Sequence, residues 1–83
     1  MGNQVQWETS ARSSFARFRA QGPEGTTALF GVISDLPNNP RPRGAQPYGP
    51  DRMRIHVAQY RVIYRINDGP PVIISVEHIG RSR

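Results

Sequence analysis

The sequence predicts a single α+β domain over residues 1–83, ordered β-α-α-β-β-β, with a helical hairpin packed on one face of a mainly antiparallel four-stranded sheet. Three observations predict it. Apolar residues recur at helical spacing in the first half of the chain. From Arg52 onward the period switches to two. Glycine and proline fall at the joints between these stretches.

Asn3 to Trp7 reads as a short strand, with Val5 and Trp7 on one face and Gln4 and Gln6 on the other. Thr9 or Ser10 is placed to cap a helix running to about Ala20, since a hydroxyl there satisfies a free helix-end N–H. Ala11, Phe15 and Phe18 form its apolar stripe, and Arg12, Arg17 and Arg19 fall largely outside it. Gln21-Gly22-Pro23 stops this helix and opens a second, whose first turn tolerates Pro23. Leu29, Val32, Ile33 and Leu36 share a face of that second helix. So short a joint predicts an antiparallel helical hairpin.

Residues 37–44 carry three prolines and no apolar period, so they read as a loop, extended by Pro47 to Asp51 with Tyr48 as its one large apolar residue. Met53, Ile55 and Val57 then alternate with Arg52, Arg54 and His56. Past a tight turn at Ala58-Gln59, Tyr60, Val62, Tyr64 and Ile66 alternate with Arg61, Ile63 and Arg65. Asn67-Asp68-Gly69 is a hairpin turn, because these residues tolerate positive φ. A last strand runs from Val72 to about His78.

Composition bounds the function. Eleven arginines, no lysine and six acidic residues give a formal net charge of +5. A chain of this size buries a modest core and has no room for a large cofactor cleft. The absence of cysteine excludes disulfides, cysteine-ligated metals and thiol nucleophiles. The longest apolar run, such as Val72 to Ile74, is far short of a membrane span, and no charged-then-apolar leader opens the sequence. The expectation is a cytoplasmic basic protein, without a membrane partner, that meets an anion such as nucleic acid or an acidic protein.

Alternation says where the charge goes. Residues i and i+2 of a strand share a face, so Arg52, Arg54, His56, Arg61 and Arg65 gather on the face away from the helices. Like charges at that density repel unless a polyanion satisfies them. A merely solvated basic face is the plain alternative, and Ile63, lying among the charges, speaks for a shaped surface instead.

Candidates for chemistry are few. There is no HExxH, P-loop, GxSxG or pair of carboxylates, and the two histidines lack a third ligand for a metal, so neither metal nor cofactor is expected. His56 on the basic face is a candidate general base or acid, balanced against an ordinary exposed polar residue. His78 follows Val72, Ile74 and Val76 in alternation, which assigns it to the buried face as a packing residue. Trp7, Tyr60 and Tyr64 are expected in the core. Tyr48 is placed to stack on a base or to close over the core edge.

Pro40-Arg41-Pro42-Arg43-Gly44, Tyr48-Gly49, Met53-Arg54-Ile55-His56-Val57 and Tyr60-Arg61-Val62-Ile63-Tyr64 with Asn67-Asp68-Gly69 together resemble the RelE/ParE toxin superfamily. The resemblance extends over the whole chain, and its specific part is Arg41 to Asp68. It implies the same β-α-α-β-β-β order and a toxin of a type II toxin–antitoxin pair, with a cognate antitoxin as partner in a hetero-oligomer. RelE-like members cut mRNA in the ribosome by attack of the 2′-oxygen on the adjacent phosphate, leaving a 2′,3′-cyclic phosphate and a 5′-hydroxyl. ParE-like members share the fold and poison DNA gyrase instead. The RelE-like branch implies Arg54, His56, Arg61, Arg81 and Arg83 as catalytic residues, with His56 for proton transfer. Arg43, Tyr48, Arg52 and Arg65 then become the RNA-binding residues. Two departures stand out: His56 replaces a usual lysine, and no tail tyrosine follows Arg83. The second keeps open a degenerate toxin that only binds its antitoxin.

Overall fold

The computed structural model describes residues 2–81. Its elements are β1 (Gln4–Trp7), α1 (Thr9–Gln21), α2 (Pro23–Asp35), β2 (Gln46–Pro47), β3 (Arg52–Val57), β4 (Tyr60–Asn67) and β5 (Ile73–Arg81). They form one five-stranded sheet, ordered β1-β5-β4-β3-β2, with the two helices on one face. Every neighbouring pair is antiparallel except β1 and β5, which run parallel. The fifth strand is β2, two residues of the segment expected to be loop, pairing Gln46 with Arg54 and Pro47 with Met53. A two-residue edge strand has no alternation to display, and Pro47 reads as a breaker.

Helix α1 starts differently from expectation. Glu8 occupies the N-cap position and no side chain caps the helix. The Glu8 N–H donates to the Val76 carbonyl at 2.9 Å and the Ser10 hydroxyl to the Glu77 carbonyl at 3.3 Å. The helix start is thus tied to β5, and that tertiary bonding replaces the local cap. Gly22 serves as both the end of α1 and the cap of α2, with Pro23 in the first turn as expected. At Gly25 the second helix comes so close to the sheet that a Cβ would stand 2.9 Å from Tyr60 Cε2.

The core lies between the helices and the inner face of the sheet. Leu29, Ile33 and Leu36 of the α2 face meet Tyr60, Val62 and Tyr64 of β4 and Ile74, Val76 and Ile79 of β5, all essentially inaccessible. Each contributes about 1.5–3 kcal/mol by burial. Trp7 packs less deeply than expected: it lies edge-on to Phe15 with 5.3 Å between ring centroids and stacks at 6.4 Å on the half-exposed Phe30. The proline-rich loop is pinned at two points, Asn3 Nδ2 donating to the Pro37 carbonyl at 3.1 Å and the Tyr64 hydroxyl to the Pro40 carbonyl at 2.7 Å.

One irregularity governs the outer face. Ile63 pairs with His78 while Tyr64 pairs with Val76, so Glu77 is the extra residue of a β-bulge in β5. Past the bulge the parity of the strand is reversed, with Ile79 in the core and His78 exposed. His78 is therefore not on the buried face to which regular alternation assigns it.

Candidate functional site

Three cross-strand rows make up the outer face. Arg52 sits opposite Arg65, which sits opposite Ser75. Next come Gln46, Arg54, Ile63 and His78, one from each of β2 to β5. The last row is His56, Arg61 and Gly80.

The middle and last rows surround an open concavity of about 410 Å³ lined by Tyr48, Arg54, Arg61, Ile63 and His78. Arg54 is held on two sides: its Nη2 donates to Gln46 Oε1 at 3.1 Å, and its guanidinium carbon lies 5.9 Å from the centre of the Tyr48 ring. Arg61 has no hydrogen bond or ion pair among the described residues, so none of them neutralises its charge. Gly80, opposite it, leaves space into which both Arg61 and the His78 ring fit. Ile63 supplies an apolar floor between the cations. Chemically, the concavity offers two guanidiniums for a phosphate, an imidazole for a proton and a tyrosine ring for a flat apolar group.

The other expected site residues are placed differently. Arg52 and Arg65 share the outer face but are taken up within the chain. Arg52 Nε donates to Glu77 Oε1 at 2.6 Å, Arg65 Nε to Glu77 Oε2 at 2.9 Å, and Arg65 Nη1 to Asp51 Oδ2 at 2.8 Å. Partial burial pushes the Glu77 carboxyl up, but the hydrogen bonds and charges of Arg52 and Arg65 outweigh it and hold the carboxyl below the usual carboxylate range. His56 is exposed, opposite Arg61, and is not among the residues lining the concavity. Arg43 is exposed on a turn before β2, also outside the lining.

Arg81 is not brought to this face. It pairs with the buried Tyr60, so its side chain points to the helix side, where it bonds Gln21 Oε1 and lies 4.9 Å from the centre of the Phe18 ring. The bulge is the cause, since it reverses the parity of everything after Glu77. Arg83 lies outside the described residues. His78 is the site residue that simple alternation misses. A signal was present: Ile79 is apolar and His78 polar where strict period two from Ile74 and Val76 demands the reverse. Among the described residues no three His, Asp or Glu side chains cluster to hold a metal ion, and no helix is long and apolar enough to cross a membrane.

A family model described as the ParE toxin of type II toxin–antitoxin systems, parDE, matches residues 5–83. The chain belongs to the ParE toxin family. No curated protein matches it. Solved structures place this ParE-family chain in the wider RelE/ParE fold. The YoeB/ParE toxin from Agrobacterium tumefaciens superposes with a TM-score of 0.80 at 14% identity, covering 94% of this chain and 96% of that one. The toxin–antitoxin complex RelBE2 from Mycobacterium tuberculosis gives 0.76 at 20% identity, covering 98% and 99%. A doubly mutated form of the E. coli toxin RelE in the free state gives 0.75 at 21% identity, covering 100% and 86%. At these identities the likeness is one of fold, and it bears out the α+β architecture of two helices on a mostly antiparallel sheet. In strand count the ParE-family toxin differs from the sequence expectation, with five strands in place of four.

Proposed function

We propose that this toxin is a ribosome-dependent mRNA endonuclease and that Arg54, Arg61 and His78 carry the reaction. The observation that supports this most is the convergence of those three side chains on one open concavity, with Arg61 lacking any counter-ion of its own among the described residues.

The 2′-hydroxyl of one nucleotide loses its proton and its oxygen attacks the adjacent phosphorus. The bond to the following 5′-oxygen breaks, and that oxygen takes up a proton. A 2′,3′-cyclic phosphate and a 5′-hydroxyl result, with no metal needed for the balance. Arg54 and Arg61 bind the phosphate and stabilise the extra negative charge of its transition state. Guanidinium groups hold their protons too firmly to serve as the base. His78 is the titratable group in the concavity suited to moving the proton, and His56, one row away, is the reserve. A cognate antitoxin, as in the RelBE complexes, would silence the toxin by covering the positive face.

Mapping mRNA 5′ ends after induction tests this. Cuts inside translated codons that vanish when translation is blocked, and vanish again in Arg61→Ala, are the expected result. Intact mRNA in cells that still stop growing would sink it. The match to the ParE toxin family supports a second reading, since the resemblance to ParE-like members implies a gyrase poison acting by binding alone. Accumulated gyrase–DNA cleavage complexes with intact mRNA would establish that reading instead.

A further inference from the structure

The outer face carries two halves of different net charge. At the Arg52–Arg65 row, two guanidiniums meet two carboxylates, Glu77 and Asp51, at 2.6 to 2.9 Å. At the adjoining rows Arg54 and Arg61 make no ion pair among the described residues. The boundary between the halves falls at the bulge, where Glu77 and His78 follow one another onto the same face.

Glu77 is well placed to keep its two partners. It engages the Nε of both arginines, the edge a guanidinium presents for two-point contact with a phosphate. Its side chain is only 22% exposed, and the bulge fixes its backbone. A phosphate arriving here competes with a carboxylate tethered at high effective concentration and meets a second carboxylate, Asp51, beside it. Rows two residues apart along a strand lie ~6.8 Å apart, comparable to one nucleotide step. A polynucleotide held at Arg54 and Arg61 would therefore place its next phosphate against Glu77 if it ran that way.

We propose that Glu77 is a boundary residue that withdraws Arg52 and Arg65 from the anion-binding face and confines a bound single-stranded polynucleotide to the half built by Arg54, Arg61 and His78. The strand then leaves past the exposed His56 toward the β3–β4 turn, not across Arg65 toward Asn67. The inference rests on the concavity being the polynucleotide site, as in the proposed function, but not on cleavage.

Salt titration reads this directly. Binding of short oligouridylate and of oligothymidylate, which lacks the 2′-hydroxyl and cannot be cut, is measured between about 50 and 200 mM salt. Each phosphate neutralised on a single strand steepens the log–log slope by about 0.7. Glu77→Gln, which frees Arg52 and leaves Arg65 held by Asp51 alone, is expected to steepen it by about 0.7, up to about 1.4 where Arg65 also lets go, and to tighten binding at low salt. Asp51→Asn, at an exposed position and loosening Arg65 alone, should give a smaller change of the same sign. Arg54→Ala should make the slope shallower. A folded Glu77→Gln or Asp51→Asn with the wild-type slope would overturn the boundary role, as would a wild-type protein that binds neither oligonucleotide. Slopes that respond as expected in a protein that never cuts mRNA would leave the boundary standing and count against the nuclease reading alone.

Discussion

His78 and Gly80 meet on the outer face of β5 with no slack between them. A Cβ on Gly80 would stand 3.1 Å from His78 Nε2 and 3.8 Å from Arg61 Nη2. The smallest residue thus sets how closely the imidazole and the guanidinium approach one another.

Gly80→Ala should separate stability from activity. The imidazole must move by a few tenths of an ångström, which shifts it relative to Arg61, whose Nη2 would stay in ordinary contact with the new Cβ. Toxicity and mRNA cutting are expected to fall by about 10- to 100-fold, as small misplacements of reacting groups do. Stability should hold or rise by about 0.5–1 kcal/mol, since glycine inside a strand is itself unfavourable. Full activity in a stable Gly80→Ala protein would remove His78 and Arg61 from the reaction.

Ala58 opens the β3–β4 turn with φ at +56°, a conformation that costs an L-residue roughly 1–2 kcal/mol. Ala58→Gly relieves that cost, less the extra freedom it gives the unfolded chain. The expected net gain is about 0.5–1 kcal/mol, or roughly 2–8 °C in Tm for a domain of this size. Thermal unfolding followed by circular dichroism measures it, and a lowered Tm would contradict it.

Acid sensitivity should trace to Glu77. Its folded-state pKa lies below the ordinary value, so the unfolded chain takes up the proton first as pH falls. The stabilisation is complete above the ordinary glutamate range and is lost as pH drops through it toward the lower folded-state value. Urea titrations from about pH 6 to 3 should show a shallower decline in Glu77→Gln than in the wild type. Parallel declines would mean that other carboxylates carry the effect.

The period switch at Arg52 and the glycine–proline joints made the element order legible, because β3 and β4 show their buried faces in their own residues. Two things were hidden. The strand at Gln46–Pro47 exists through pairing with β3 and carries no pattern of its own. The bulge at Glu77 is a tertiary adjustment, with the carboxylate drawn to Arg52 and Arg65 and Ile79 drawn into the core. That single extra residue decides the site: it brings His78 beside Arg61 and sends Arg81 to the helix side. Arginine placement on β3 and β4, which contain no irregularity before Ile63, was legible residue by residue.

Strand β1 has β5 as its parallel partner, and just before it Asn3 Oδ1 accepts from the Val72 N–H across 69 positions of sequence. The start of α1 is held by the same late strand. Without β5 the start of α1 loses its backbone partners and Ile63 has no His78 opposite it. β3 and β4 alone carry the arginines and the Ile63 floor but not the imidazole of His78. The proposed site is therefore complete only with β5 seated between β1 and β4.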